Sequence, residues 1–165
     1  MENFNYIIGS GWWCSGYNDN NDGRSAHYGH EIIRQKDFHK LWYASICKYT
    51  NPQKIIIVDS CSPIKPEINK TDERIEFLSL NVNAGHSTNH IGKFSGYMRA
   101  IFLGLQYALQ CKTDYFVYIE QDCLLYGKDI IEHCIKKMQF KYMFGNGEGT
   151  PQKLQQSFFI IRQDG

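Results

Sequence analysis

The chain has 165 residues, 42% hydrophobic and 21% charged, an ordinary composition for a soluble globular protein and enough for one domain with a sizeable core. Eighteen basic and 17 acidic residues give a formal net charge of +1 without a block of like charges, which argues against nucleic acid as the main partner. The opening M-E-N-F-N-Y-I-I-G has no basic segment leading an apolar one, so neither a signal peptide nor a transmembrane span is expected.

Aromatic residues make up 15% of the chain, more than a minimal core requires, and some are expected to line a pocket or an interface. Six cysteines (Cys14, Cys47, Cys61, Cys111, Cys123, Cys134) show no C-x-x-C spacing. They read as reduced thiols in an intracellular, cytoplasmic protein.

Residues 4–9 read as a short apolar strand ending in a Gly9-Ser10-Gly11-Trp12-Trp13 turn, whose glycines permit positive φ and close approach of a ligand. A Gly-x-Gly after a first strand raises the dinucleotide fingerprint. Cys14 stands where the third small residue belongs, and the acid expected ~20 positions on is poorly placed, so NAD binding is rejected. Residues 14–30 form a polar loop, long for a connection. Asn18, Asn20, Asp22 and Gly23 imitate a calcium loop whose closing Glu would fall at Gly29; Asx turns are preferred. His27 and His30 are either surface histidines or ligands.

A helix follows over residues 31–49, with Phe38, Leu41, Trp42, Ser45 and Tyr49 on one stripe, ended by Asn51-Pro52. Residues 54–59, K-I-I-I-V-D, are an apolar strand closing on an acid. Asp59 either caps the following proline-bearing loop or faces a ligand at the sheet edge. Residues 75–80 read as a third, more exposed strand. His86 and His90 are four apart, but in a Gly- and Asn-rich loop without an H-E-x-x-H pattern, so zinc is not favoured. The helix over 94–110 places Met98, Ile101, Leu105 and Ala108 on the sheet. Lys93 and Arg99 sit at its positive end, against the dipole, which points to an anionic ligand.

Residues 115–119, Y-F-V-Y-I, carry no alternation and read as a strand buried on both faces. They run into Glu120-Gln121-Asp122. In open α/β sheets ligands bind at the carboxyl ends of the strands. Two acids within ~7 Å along an extended backbone can hold a hard divalent cation and, through it, a diphosphate. The plain alternative is a polar turn. A helix over 128–138 turns Ile130, Ile131, Cys134, Ile135 and Met138 inward. Strands at 142–144 and 157–162 flank G-N-G-E-G-T-P. The order β-α-β-β-α-β-α-β-β predicts one α/β domain over 1–165, with a mostly parallel sheet and right-handed crossovers.

The succession K-I-I-I-V-D-S, I-E-F-L-S-L-N-V-N-A-G, a helix with Gly and Arg near its start, then Y-F-V-Y-I-E-Q-D-C-L-L-Y-G resembles the nucleotide-sugar-binding half of GT-A-fold glycosyltransferases. The likeness is to the family 2-like inverting enzymes and covers about residues 4–140. It implies a three-layer α/β/α sandwich around a mostly parallel central sheet. Asp59 matches the acid that contacts the base; Asn83 and Gly85 match the Asn-x-Gly turn; Glu120, Asp122 and Gly127 match the Asp-x-Asp motif and the glycine after it.

What the resemblance implies is a glycosyltransferase in which Mg²⁺ or Mn²⁺, on Asp122 with help from Glu120, bridges the phosphates of a nucleoside-diphosphate sugar. Gly9, Ser10, Gly11, Asp59, Asn83, Gly85 and Gln121 would form the donor site, with Lys93 or Arg99 near the phosphates. The acceptor would be a glycan, lipid or protein. Three departures stand out. Glu120 replaces Asp and carries its carboxylate further out, leaving Asp122 the safer ligand. Gly-Ser-Gly-Trp-Trp replaces a Pro-Thr-Tyr-Asn type of sequence, so that Trp12 or Trp13 either stacks on the base or belongs to the core. The acceptor-side region with its catalytic base is expected beyond the last strand; of the nearby acids, Glu148 and Asp164, Glu148 is the candidate base. A nucleotidyltransferase-like enzyme, with only Arg24 and Lys36 for its basic signature, and a non-catalytic α/β binding module are the alternatives.

Overall fold

A computed structural model describes residues 4–15, 30–85 and 92–163. Six strands form one mixed sheet: β1 (Tyr6–Trp12), β2 (Lys54–Asp59), β3 (Ile75–Ser79), β4 (Tyr115–Ile119), β5 (Tyr142–Asn146) and β6 (Leu154–Arg162), in the order β3-β2-β1-β4-β6-β5. The strands from β3 to β4 pair in parallel, whereas β6 runs antiparallel to both β4 and β5. The unbroken apolar runs are explained by burial on both faces. Alternate residues of β2, Ile55 and Ile57 against Ile56 and Val58, enter two separate cores, as period-two side chains must.

Helices α1 (Phe38–Tyr49) and α3 (Ile130–Lys137) serve the core that holds Ile8, Val117 and Ile119, through Trp42, Ile46, Ile131 and Ile135. Helix α2 (Gly96–Gln110) serves the other, through Ala100 and Ala108 against Ile7, Phe116 and Phe159. The crossovers β1-α1-β2 and β3-α2-β4 step in opposite directions and place their helices on opposite faces, as one hand requires. The crossover β4-α3-β5 steps the same way as β3-α2-β4, yet α3 lies with α1. The three crossovers therefore do not share a hand, contrary to the expectation. The face α3 avoids is the one α2 already occupies over β1, β2 and β4.

Several boundaries and faces differ from the sequence reading. The expected helix over 31–49 is a 3-10 turn at Glu31–Arg34, an extended Gln35, then α1. Its buried side is Phe38, His39, Trp42 and Ile46, while Leu41 is 53% exposed, because His39 packs among Trp12, Trp42 and Tyr43. Strand β1 extends to Trp12, so Gly9 and Gly11 lie inside it. Neither has positive φ. Gly9 instead makes room: a Cβ there would lie 2.6 Å from the Phe116 ring, and one at Gly104 2.9 Å from the same ring. On α2 the fully buried residues are Ala100, Gly104 and Ala108, a small-residue stripe that lets the helix press on Phe116. All six cysteines are free thiols. Among the described residues no helix is long and apolar enough to cross a membrane.

Candidate functional site

The chain leaves β1 toward β2 and later returns to β4 on the opposite side of β1, so the carboxyl ends of β1 and β4 form the point at which strand order reverses. That is where open α/β sheets bind ligands. Strand β1 pairs with β2 as far as Trp12 with Asp59, but with β4 only as far as Gly9 with Tyr118. Beyond Gly9 the two strands part. A cleft of about 350 Å³ occupies the opening, within the range of small-molecule sites.

Each neighbouring segment lends a wall. From β1 come Gly11 and Trp12, with Trp13 just beyond its end; from the turn after β4, Glu120, Gln121 and Asp122; from the loop after β3, Asn83 and Gly85. Ser60 follows β2, Gly96 and Tyr97 open α2, and Gln152, Gln156 and Ser157 belong to the β5–β6 side. Asn83 accepts the Gly85 amide at 2.9 Å, and Gly85, at φ 75°, accepts the Gly96 amide at 3.0 Å. The Asn-x-Gly segment is thereby docked on the start of α2. A Cβ at Gly96 would stand 2.9 Å from the Ser60 hydroxyl, so only glycine lets this helix end approach so closely.

Glu120, Gln121, Asp122 and Cys123 form a tight turn closed by the Cys123 amide on the Glu120 carbonyl at 3.0 Å, while the Glu120 amide donates to Ser157 at 2.8 Å. The two carboxylates act on one small volume. Burial, then the Glu120 charge, pushes the Tyr97 phenol up to about 12. Burial first, then Glu120, Tyr97 and more weakly Asp122 hold Tyr118 well above its ordinary value, against a backbone hydrogen bond from Gly11. Burial, followed by Asp122 and Glu120, raises the Cys123 thiol to about 11. Neither Lys nor Arg lines the cleft among the described residues.

Several assigned residues lie elsewhere. Asp59 is fully buried and outside the cleft. Its carboxylate accepts the Ser62 amide at 2.9 Å, the Ser62 hydroxyl at 2.6 Å, the Ser79 hydroxyl at 2.5 Å and the Lys65 ammonium. Those four donors fill its acceptor sites. Burial works to raise its pKa, but the bonds from Lys65, Ser62 and Ser79 outweigh that and lower it. Asp59 is thus the loop cap, not a wall of the cleft. Gly9 is covered by Phe116 and Ser10 is 2% exposed; of the three-residue segment only Gly11 reaches the cleft. Lys93 stands over the Phe94 ring and Arg99 donates to the Phe94 carbonyl, so neither lines it. Glu148 is exposed in the β5–β6 turn, its amide on Asn146, and does not line the cleft. His30 caps the 3-10 turn through Nδ1.

Trp12 is 3% exposed with its indole donating to the Ile64 carbonyl at 3.0 Å. It belongs to the core, and Trp13 is partly buried, with its indole nitrogen out of solvent. Asn18, Asn20, Asp22, Arg24, His27, His86, His90 and Asp164 lie outside the described residues. Sequence reasoning missed Ser60, Gly96 and Tyr97, although each sits one or two positions past a strand or helix cap. Gln152, Gln156 and Ser157 gave no local signal, because the placing of β6 beside β4 is a tertiary fact.

Among the described residues no three His, Cys, Asp or Glu side chains are grouped to hold a metal. Glu120 and Asp122 still suit Mg²⁺ or Mn²⁺ of the substrate-bridging kind, which takes one or two carboxylates and draws its other oxygens from phosphates and water. No protein-family model matches the chain, and no curated protein matches its sequence.

Proposed function

We propose that the chain is a metal-dependent glycosyltransferase of the GT-A type, a three-layer α/β/α sandwich that takes a nucleoside-diphosphate sugar in the cleft between β1 and β4. The observation that carries this reading is the pair Glu120 and Asp122, in one turn on the wall of the switch-point cleft, with no basic residue lining it among those described. A cleft so charged repels a bare diphosphate and accepts one already neutralised by a cation. Asp122 and Glu120 would hold Mg²⁺ or Mn²⁺, whose chemistry there is charge neutralisation on the departing diphosphate. Asn83, Gly85 and Gly11 line the remaining wall for the nucleoside and sugar, and Tyr97 and Tyr118 exclude water beneath it.

Donor binding without turnover is the second reading. It is favoured by the lining itself, which among the described residues offers no carboxylate or histidine beyond the acid pair to deprotonate an acceptor hydroxyl. Calorimetry with UDP or GDP in Mn²⁺ tests the donor site. Uptake is expected, with Asp122→Asn weakening it at least ~10-fold, the loss of ~1.4 kcal/mol. Equal affinity in wild type and variant would remove the acid pair from the reading. Nucleotide release from a sugar donor then separates transfer from binding alone.

A further inference from the structure

The geometry points to Gln121 as a positioning residue: its side-chain amide straps the open end of β1 to the acid-bearing turn after β4, fixing the gap that a metal-bound diphosphate has to fill. The proposal rests on the donor-site reading above and changes the part the sequence gives this glutamine, from ligand contact to brace.

Past Gly9 and Tyr118 no ladder pairing joins β1 to β4. Across the opening, Gln121 Oε1 accepts the Trp13 amide at 2.6 Å and Gln121 Nε2 donates to the Trp13 carbonyl at 3.0 Å. A primary amide carries the donor and acceptor of a peptide unit, so this one side chain replaces the missing strand partner. Asparagine is one methylene shorter, and a glutamate carboxylate accepts but does not donate. The other side of the turn is anchored as well, the Glu120 amide being held by the Ser157 carbonyl on β6. Glu120 and Asp122 flank Gln121 in sequence, so two anchors, one just past the end of β1 and one on β6, set the direction of both carboxylates. Release of the β1 anchor frees Trp13 and the acid pair to drift apart. Metal alone needs only the acids; a nucleoside diphosphate needs both walls.

Gln121→Met keeps the length and removes both bonds. Two measurements on wild type and variant decide the matter: amide hydrogen exchange at Trp13, and calorimetry with Mn²⁺ alone and with UDP in saturating Mn²⁺. The expected result is exchange at Trp13 faster by at least ~10-fold, with the Ser60 amide, bonded to Trp12, unchanged. UDP affinity falls about 10-fold while affinity for Mn²⁺ alone moves less than ~3-fold. Unchanged protection at Trp13 in the variant overturns the strap. So does unchanged UDP affinity in a variant whose wild type binds. A wild type that takes up no UDP sinks the donor-site reading instead, and the exchange arm still judges the strap. Should Gln121→Met fail to fold, Gln121→Leu, which also removes both bonds without adding charge, is read in the same two ways.

Discussion

At the scale of single residues, His39 and Asp59 are buried titratable groups outside the acid pair, and each has its own pH window. His39 is 4% exposed, stacked on Trp42 and Tyr43 and edge-on to Trp12, with Nε2 unpartnered among the described residues. No charged side chain touches it in these ring contacts; Asp72 reaches only the far end of Tyr43, through its hydroxyl. Burial lowers the His39 pKa to about 4, whereas the unfolded chain takes up that proton near ~6.5. Between those values the unfolded state holds more protons, so stability rises with pH. Acidification from pH 7 to 4 is expected to remove about 3 kcal/mol through this one residue. Urea unfolding of wild type and His39→Phe at pH 7 and 4.5 checks it; the variant's stability should change much less over that interval. Asp59 acts lower and in its own way. Its depressed folded pKa gives stability that is full above ~3.9 and fades as pH falls through the folded value. Sequence placed both residues in the right elements. It assigned His39 nothing beyond its helix and left Asp59 open between loop cap and ligand wall, because a lone histidine on a helix and an acid at a strand end look alike whether solvated or enclosed.

At the scale of elements, the strands were legible and the helix faces less so. An unbroken run such as K-I-I-I-V-D has one reading, a strand covered on both sides. A helix stripe, by contrast, is inferred by ranking hydrophobicity; Ile101, Leu105 and Ala108 do pack on the sheet, but α2 buries its smallest residues deepest. Ala100, Gly104 and Ala108 are one turn apart, and Phe116 fills the space they and Gly9 leave. Glycine in mid-helix costs ~1 kcal/mol against alanine, so on propensity alone Gly104→Ala stabilises. Packing reverses the sign, since the new methyl meets the Phe116 ring at 2.9 Å and such overpacking costs about 1–3 kcal/mol. Gly104→Ala is therefore expected to lower Tm, by ~2–4 °C for each kcal/mol in a chain of this size. The same substitution in a Phe116→Leu background should cost less, because the two sites share one cavity and their effects do not add. A calorimetric double-mutant cycle reads the coupling directly. Additive losses would mean that Phe116 is not what excludes a side chain at 104.

At the scale of the whole molecule, strand order decides which readable features meet. The sequence placed Glu120, Asp122, Asn83 and Gly85 at strand ends, and the sheet brings all four to one cleft. It placed Asp59 at a strand end too, but Asp59 points into the β2–β3 loop, since strand period alone does not say which face an end residue takes. Lys93 and Arg99 show the same gap: a position before or within the first helical turn fixes the backbone, not the reach of a long side chain. With both turned to Phe94, the charged side chains lining the cleft among the described residues are the two carboxylates. Binding of the proposed donor should then depend on which of its parts is charged. Uridine, without phosphates, has nothing for a cation to bridge, and its affinity should be the same in Mn²⁺ and in EDTA. UDP brings negative charge toward Glu120 and Asp122, and its affinity should fall at least ~100-fold when EDTA removes the metal, the loss of ~2.7 kcal/mol. Removal of one carboxylate by Glu120→Gln should soften the repulsion, so that UDP in EDTA binds the variant more tightly than it binds wild type, while in Mn²⁺ the order reverses. That crossing of the two affinities is what a cation bridge requires. UDP held equally well in EDTA and Mn²⁺ would show that the protein itself supplies the positive charge and that the acid pair has another use.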